Sequence, residues 1–291
     1  MNKINNCPIC ESDKKQLVIS LNSDNEDRYF QFSKIKYGGF IDSWAKSIEV
    51  AIDCCQYCGH HWYRAHPKQD DLLKMYAAGR PLRPRNSIID NNPKQKIIDE
   101  LKKIKKIGNG GGHLLDYGSG FGNWARAGVN AGYIVTAYDP SKERSSESKK
   151  IEYTLIHEKK YLLKQEYDYI NLEQVLEHIP NPVETLKEIR DYCTPGAILR
   201  ITVPNILHSS EEDKLWKEWP FNNQSNHIMA PFEHLHGFTP MSLLLLIKRA
   251  GFKPVSLGLI FIYSPVLLLR KLLGSFIPKI GTTTLFVEPC S

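Results

Sequence analysis

Two pairs of cysteines, Cys7-Pro8-Ile9-Cys10 and Cys55-Gln56-Tyr57-Cys58, have the type and spacing of metal ligands. A C-x2-C turn brings two sulfurs close enough to share one ion, and two such turns supply the four thiolates of a closed tetrahedral zinc site. Pro8 and Gly59 favour the tight knuckle that each turn needs. Cys54 can stand in for Cys55, but only Cys55 keeps the x2 spacing to Cys58. Five of the seven cysteines lie in the first 58 residues, the distribution of a metal module and not of a disulfide scaffold. The expected ligands of a structural zinc are therefore Cys7, Cys10, Cys55 and Cys58. The 44 residues between the pairs exceed the usual ribbon spacing, so a strand excursion must fill them. That stretch is too poor in aliphatic residues to build a core of its own.

A second constellation starts at Leu114-Leu115-Asp116-Tyr117-Gly118-Ser119-Gly120-Phe121-Gly122, a short apolar run entering a glycine loop. Its G-x-G-x-G spacing has Asn123 where the pyrophosphate fingerprint needs its third glycine, and no Lys-Ser/Thr pair of a phosphate loop follows. Glycines that close a loop without cradling phosphates suit a ligand whose flat or aliphatic parts press on the backbone. S-adenosylmethionine is such a ligand. Asp139 stands 21 residues beyond Gly118, at the end of Ile134-Val135-Thr136-Ala137-Tyr138. A carboxylate at the tip of that second strand can accept both ribose hydroxyls of a nucleoside. A third segment, Tyr167 to Pro180, turns polar at Glu173-Gln174, where a fourth strand reaches the sheet edge along which open α/β sheets bind ligands.

The elements that must hold these residues alternate from His113 onward. Strands are expected near 114–116, 133–138, 153–156, 168–172 and 197–203, with helices at 123–131, 141–150 and 183–192 between them. Strands alternating with helices of about ten residues imply a parallel, doubly wound sheet. Two more strands, 257–262 and 283–287, should flank a short apolar helix at 264–273. Upstream, residues 68–112 read as helix, extended loop and helix, because Pro81 and Pro84 forbid a helix between Arg80 and Arg85. The expected domains are 1–67, a zinc-ribbon-like unit; 68–112, a helical connection; and 113–291, the sheet.

The chain has 291 residues, 42% of them hydrophobic, and a formal net charge of +6. That apolar fraction supports a real core and excludes a wholly disordered chain. The charge is local: residues 68–113 hold 11 basic and 5 acidic side chains, and the flanking regions balance. Neutral flanks argue against a nucleic-acid partner. No run reaches the ~18 uncharged apolar residues of a membrane helix, and Met1 to Asn6 is unlike a signal peptide, so a cytoplasmic protein is expected.

Taken together, these motifs resemble a class I S-adenosylmethionine-dependent methyltransferase of small-molecule type across about residues 113–256. Leu114–Gly122 is similar to the family's first motif and Tyr138-Asp139-Pro140 to its second. Val175-Leu176-Glu177-His178-Ile179-Pro180-Asn181-Pro182 resembles a segment common in ubiquinone-biosynthesis O-methyltransferases. The resemblance implies a Rossmann-like seven-stranded sheet preceded by a small N-terminal zinc-ribbon domain. It also implies cofactor contacts from Asp116, Tyr117, Gly118, Ser119, Gly120 and Gly122, from Asp139 and Pro140, and from Glu173, Gln174 and Val175. A subgroup with a ribbon ending in C-x2-C-G, as in Cys55–Gly59, is frequent in sugar, polysaccharide and secondary-metabolite pathways. In related enzymes the segment after the ribbon tends to lie over the cofactor and acceptor cleft, which makes Arg83 and Arg85 expected clamps for an anionic acceptor. Tyr117 departs from the smaller residue that many members carry there.

The acceptor is expected to be a small polar molecule, a nucleotide-linked or polysaccharide-precursor sugar, methylated on oxygen. The longer deoxysugar C-methyltransferases carry a further C-terminal domain that this sequence lacks, which disfavours carbon. An oxygen acceptor needs a base, and His178, His234 and His236 are the candidates, with His227 behind them. Glu173 and Glu177 can bind the methionine ammonium or a metal. Trp216, Trp219, Pro220 and Phe221 form either a lid over a sugar or a satellite core. Two rivals stand beside this reading: an RNA-base methyltransferase gripping RNA with its ribbon, and a non-catalytic cofactor-binding protein.

Overall fold

A computed structural model of the chain describes residues 2–38, 46, 49–77, 94–107, 112–142, 152–208, 216–222, 225–255 and 281–290. Arg80, Arg83 and Arg85, most of the helix expected at 141–150, the strand expected at 257–262 and the apolar segment 264–273 lie outside these residues.

The N-terminal region comprises β1 (Asn2–Lys3), β2 (Lys15–Ser20), α1 (Glu26–Tyr37), β3 (Ala51–Cys55), β4 (His61–Tyr63) and β5 (Ala65–His66). β2, β3 and β4 pair antiparallel, with Lys15 opposite Cys55 and Cys54 opposite His61. The excursion between the cysteine pairs thus holds a helix as well as strands. Glu26 and Asp27 sit in its first turn, where carboxylates suit the helix dipole, and Gly38 closes it in the left-handed region at φ 59°. Its buried face is aromatic rather than aliphatic: Tyr29, Phe32 and Tyr37.

Two helices follow, α2 (Gln69–Ala77) and α3 (Gln95–Ile107). In α3, Ile98, Leu101 and Ile104 recur at helical spacing and are buried, while its lysines take the other faces. Then come β6 (His113–Tyr117), α4 (Asn123–Asn130), β7 (Ile134–Tyr138), β8 (Thr154–Ile156), β9 (Tyr167–Glu173), α5 (Pro182–Arg190) and β10 (Cys193–Pro204). The chain ends with β11 (Phe221–Asn222), β12 (Ser225–Asn226), β13 (His236–Gly237), α6 (Pro240–Arg249), β14 (Phe252–Pro254) and β15 (Thr282–Pro289).

The large sheet has seven strands in the order β14-β15-β10-β9-β6-β7-β8. β8, β7, β6, β9 and β10 run parallel, whereas β15 is antiparallel to both β10 and β14. The sheet is therefore mixed, not wholly parallel. Its strands read as near-continuous apolar runs because helices cover the parallel part. Gly128 lets α4 lie close on the sheet, since a Cβ there would stand 2.9 Å from Val135 Cγ2 and 3.1 Å from Leu114 Cδ1.

The small sheet is completed from far away in the sequence. Its fourth strand is β13, in which His236 pairs Trp62 and Gly237 pairs His61. Cys7, Ile9, Cys55, Cys58 and Trp62 share one apolar cluster with Leu115, Leu172 and Leu199 of the large sheet and Leu243 and Leu246 of α6. A second cluster joins Tyr29 and Phe32 of α1 to Tyr63, Leu72, Trp219, Met229 and Phe232. The N-terminal region is poor in aliphatic residues, and the shared core adds to them. Trp219 is fully buried, stacks on Tyr29 at 5.8 Å and 11°, and donates its indole N–H to Met229 O at 3.1 Å. It belongs to the satellite core, not to a lid. Among the described residues no helix is long and apolar enough to cross a membrane.

Candidate functional site

Strands β6, β7 and β9 end side by side, and a cleft of about 240 Å3 opens over their C-terminal edge. Tyr117 and Gly118 line it from β6, Tyr138, Asp139, Pro140 and Ser141 from β7, and Gln174 and Val175 from β9. His178, Ile179, Pro180 and Asn181 continue the wall into α5, which adds Glu184, Thr185 and Glu188. Leu72 and Leu73 of α2 also line it. Of the residues expected to touch a cofactor, Tyr117, Gly118, Asp139, Pro140, Gln174 and Val175 line this cleft, whereas Asp116, Ser119, Gly120, Gly122 and Glu173 lie outside its lining.

Asp116 works beneath the loop. Its Oδ1 accepts from Asn171 Nδ2 at 2.9 Å and its Oδ2 from the backbone N–H of Ala125 at 3.0 Å, so it staples β6 to β9 and to the start of α4. Burial raises its carboxyl to about 7, and the nearby charges of Glu173 and Asp139 push the same way. Glu173 is held by Arg200, which also donates to Glu100 Oε1 at 3.0 Å and to Asn171 Oδ1 at 3.2 Å, with its guanidinium over the Trp124 ring. Asn171 and Arg200 carry no motif. A polar pair in the middle of otherwise apolar strands is the signal that marks them.

Asp139 is 4% exposed. Its Oδ2 accepts from Gly120 N at 2.8 Å and its Oδ1 from Ser141 N at 2.9 Å, which pins the glycine loop against the tip of β7. A carboxylate has about four lone-pair sites, so two remain for hydroxyls. Gly118, Gly120 and Gly122 all have positive φ. At Gly118 the φ is 79° and a Cβ would meet Val175 Cγ2 at 2.6 Å, so the loop and the β9 tip touch only because the side chain is absent. The change Gly118→Ala pays ~1–2 kcal/mol for the left-handed backbone before any clash. It is expected to weaken binding of S-adenosylhomocysteine by about tenfold or more, which a calorimetric titration would measure.

Gln174 has φ 55°, an unusual value for a residue with a side chain, and its backbone N–H donates to Thr202 O at 2.9 Å. Its buried Nε2 has no partner among the described residues. A donor held in a strained conformation at the cleft wall without an acceptor fits a ligand carrying a carboxylate. Asp139, Gly118 and Gln174 together therefore fit S-adenosylmethionine.

The histidines divide. His178 lines the cleft, and its ring meets that of His234 edge-on at 4.7 Å. Their Nδ1 atoms donate to Glu233 O at 2.6 Å and Ile228 O at 2.7 Å. Beside them Glu177 is 1% exposed, both its carboxyl oxygens lack a hydrogen-bond partner among the described residues, and burial lifts it to about 8. His236 sits elsewhere, fully enclosed in β13, where it accepts from His60 Nε2 at 3.1 Å and donates to Pro180 O at 3.4 Å. Burial depresses it to about 4, and it is not among the cleft's lining residues. His227 is buried, and its Nδ1 accepts from Met229 N at 2.9 Å.

The cysteines come together away from the cleft. The sulfurs of Cys7, Cys10, Cys55 and Cys58 all lie within 4.8 Å of one another, with Cys7–Cys58 at 3.7 Å and Cys10–Cys55 at 3.5 Å. Four thiolates around a zinc at ~2.3 Å stand about 3.8 Å apart, so the set fits that ion. Cys54 is not in the group; its Sγ turns to Cys55 O at 3.7 Å. Thr239 Oγ1 donates to Cys58 O at 2.8 Å, and Arg249 Nη1 donates to Pro8 O at 3.3 Å, which docks both knuckles on α6.

Residues 89–257, more than half of the chain, match the family profile described as a methyltransferase domain. Among solved structures, the chain is similar to an S-adenosylmethionine-dependent methyltransferase from Archaeoglobus fulgidus, with 14% identity, a TM-score of 0.45, and coverage of 66% of this chain and 93% of that one. A corresponding protein from Mesorhizobium loti shares 13% identity over 68% of this chain and 98% of that one, with a TM-score of 0.43. The plantazolicin methyltransferase BpumL, in complex with S-adenosylhomocysteine, shares 15% over 67% and 84%, with a TM-score of 0.45. No curated protein matches the chain. By the profile that spans residues 89–257, the chain belongs to the methyltransferase-domain family: it is a methyltransferase.

Proposed function

We propose that this methyltransferase takes its methyl group from S-adenosylmethionine and places it on an oxygen of a small polar acceptor, a nucleotide-linked or polysaccharide-precursor sugar. The observation that carries the cofactor is Asp139, clamped at the tip of β7 against the Gly120 amide beside a glycine loop whose Gly118 lines the cleft. Bound there, S-adenosylmethionine supplies an electrophilic methyl on a sulfonium, which the acceptor attacks in line. Asp139 would hold the ribose hydroxyls, the Gly118 backbone would press on the ligand, and Gln174 Nε2 would donate to its carboxylate. The remaining work is positioning and exclusion of water. Leu72 and Leu73 serve that exclusion, since α2 places both against the cleft. His178 and His234 mark the end of the cleft where an acceptor hydroxyl would lose its proton. The buried, carbonyl-bound His236 would position Pro180 instead.

The sugar assignment rests on the resemblance to ribbon-bearing methyltransferases of sugar and polysaccharide pathways, with Arg83 and Arg85 as clamps for an anionic group. We further infer a structural zinc on Cys7, Cys10, Cys55 and Cys58, supported by their sulfur spacing. Within this reading residues 1–67 form the zinc unit, 68–112 connect it and 113–291 carry catalysis. Reduced thiols and a nucleotide-linked acceptor agree with a cytoplasmic setting. The test is transfer from methyl-labelled S-adenosylmethionine to pools of sugar nucleotides, other lysate metabolites and RNA. Label is expected in the small-molecule fraction. Label in RNA, with salt-dependent RNA retention, or no transfer to any pool, would contradict the reading.

A further inference from the structure

Three buried or half-buried carboxylates surround the end of the cleft near His178, and two of them have cations. Glu173 is held by Arg200, and Glu233 pairs with Lys36 Nζ at 2.9 Å. Among the described residues Glu177 has none: it is 1% exposed and neither carboxyl oxygen has a hydrogen-bond partner there. A buried carboxylate without a donor is costly and calls for a positive charge. His178 Nε2 is 3.8 Å from Glu177 Oε1, and one ligand atom from each of Glu177, His178 and His234 lies within 4.8 Å of the others.

The two imidazoles are oriented for this. A carbonyl oxygen can only accept, so the bonds to Glu233 O and Ile228 O put the proton of each neutral ring on Nδ1 and a lone pair on Nε2. A histidine whose Nδ1–H is fixed by a backbone carbonyl is the usual outer-shell arrangement of a metal-bound imidazole. The supporting segments are fastened as well, because Leu235 N donates to Glu177 O at 2.7 Å. Ligands around a tetrahedral ion with ~2.1 Å bonds stand about 3.4 Å apart, close to the observed O···N separation.

We propose that Glu177, His178 and His234 form a second metal site, for one divalent ion of borderline softness such as Zn2+, at the wall of the cleft. Two imidazoles and one carboxylate leave open coordination positions, unlike the closed four-thiolate set. His178 lines the cleft, so an acceptor oxygen entering there can reach the ion. The role of the ion rests on the proposed function, though its binding does not. With both Nε2 atoms on the ion, neither imidazole is the proton acceptor. The ion instead stabilises the alkoxide formed when the acceptor's O–H bond breaks and its proton passes to water. That oxygen's electron pair then bonds to the methyl carbon as the carbon–sulfur bond breaks and its pair stays on sulfur.

The experiment is equilibrium dialysis of the full chain against Zn2+ followed by elemental analysis, for the wild type, Glu177→Gln and His234→Gln. The wild type is expected to hold one zinc equivalent more than either variant, with affinity at that site weakened at least ~100-fold. Glu177→Gln keeps the side chain's shape and removes a buried charge, so its fold should survive; circular dichroism checks both variants. Substitution with Co2+ should add, in the wild type alone, an absorption without the thiolate charge-transfer bands of a cysteine site. Equal zinc content in all three proteins overturns the proposal. Lost methyl transfer at unchanged zinc content also overturns it, in favour of an imidazole base. An extra wild-type equivalent without methyl transfer to any acceptor leaves the ion site standing and sinks the proposed function instead.

Discussion

Replacing Asp139 with alanine should weaken S-adenosylhomocysteine binding by roughly 100-fold, the largest single effect expected on the cofactor. A hydrogen bond to a charged group contributes ~1.5–3 kcal/mol, and two ribose hydroxyls on one carboxylate make about 3 kcal/mol at the low end. At ~1.4 kcal/mol per factor of ten, that is two decades. The loss has a second source. Asp139 also accepts from the Gly120 and Ser141 amides at 2.8 and 2.9 Å, so the alanine variant frees the glycine loop as well. Asp139→Asn keeps the shape and one acceptor oxygen and should fall between the two. Calorimetric titration of the three proteins separates these outcomes, and equal affinities in all of them would remove Asp139 from the cofactor site.

Removal of the proposed zinc, or Cys55→Ser, should destabilise the whole chain and not the N-terminal region alone. Cys7, Ile9, Cys55 and Cys58 share a core with Leu115, Leu172 and Leu199, the small sheet takes its fourth strand from His236–Gly237, and α6 holds both knuckles. Structural zinc binding in small modules is worth ~10–16 kcal/mol, as much as the entire ~5–15 kcal/mol that stabilises a typical domain. Differential scanning calorimetry is expected to show one transition that moves down by more than about 10 °C on chelation. A separate low-temperature transition, with the large sheet melting at its original temperature, would show that the zinc unit stands apart.

What was legible in the sequence is what depends on neighbours along the chain. The thiolate pairs, the glycine loop, Asp139 and the strand–helix alternation are all set by spacings of a few to about twenty residues. Contacts across the chain were not legible. Nothing local in His236–Gly237 says that it pairs with Trp62 and His61, or that His236 is thereby drawn into the core while His234, two residues away, meets His178. Trp219 and Tyr29 share a stack over 190 positions of sequence, and neither residue alone distinguishes a lid from a core. Helix α1 escaped because its buried face is aromatic and its flanks are polar, which blurs the apolar period. The antiparallel β15 is legible as a strand, but strand direction follows from the connection before it and not from its own residues. Leu72 and Leu73 are ordinary amphipathic-helix residues until the fold lays α2 against the cleft.

The position of the cofactor decides the function of this cleft most directly. A crystal structure of the chain with S-adenosylhomocysteine is predicted to show the ribose hydroxyls on the Asp139 carboxylate, the backbone of Gly118 against the ligand, and Gln174 Nε2 donating to its carboxylate. Ligand bound away from this cleft, or with its ribose on another acid, would contradict the account.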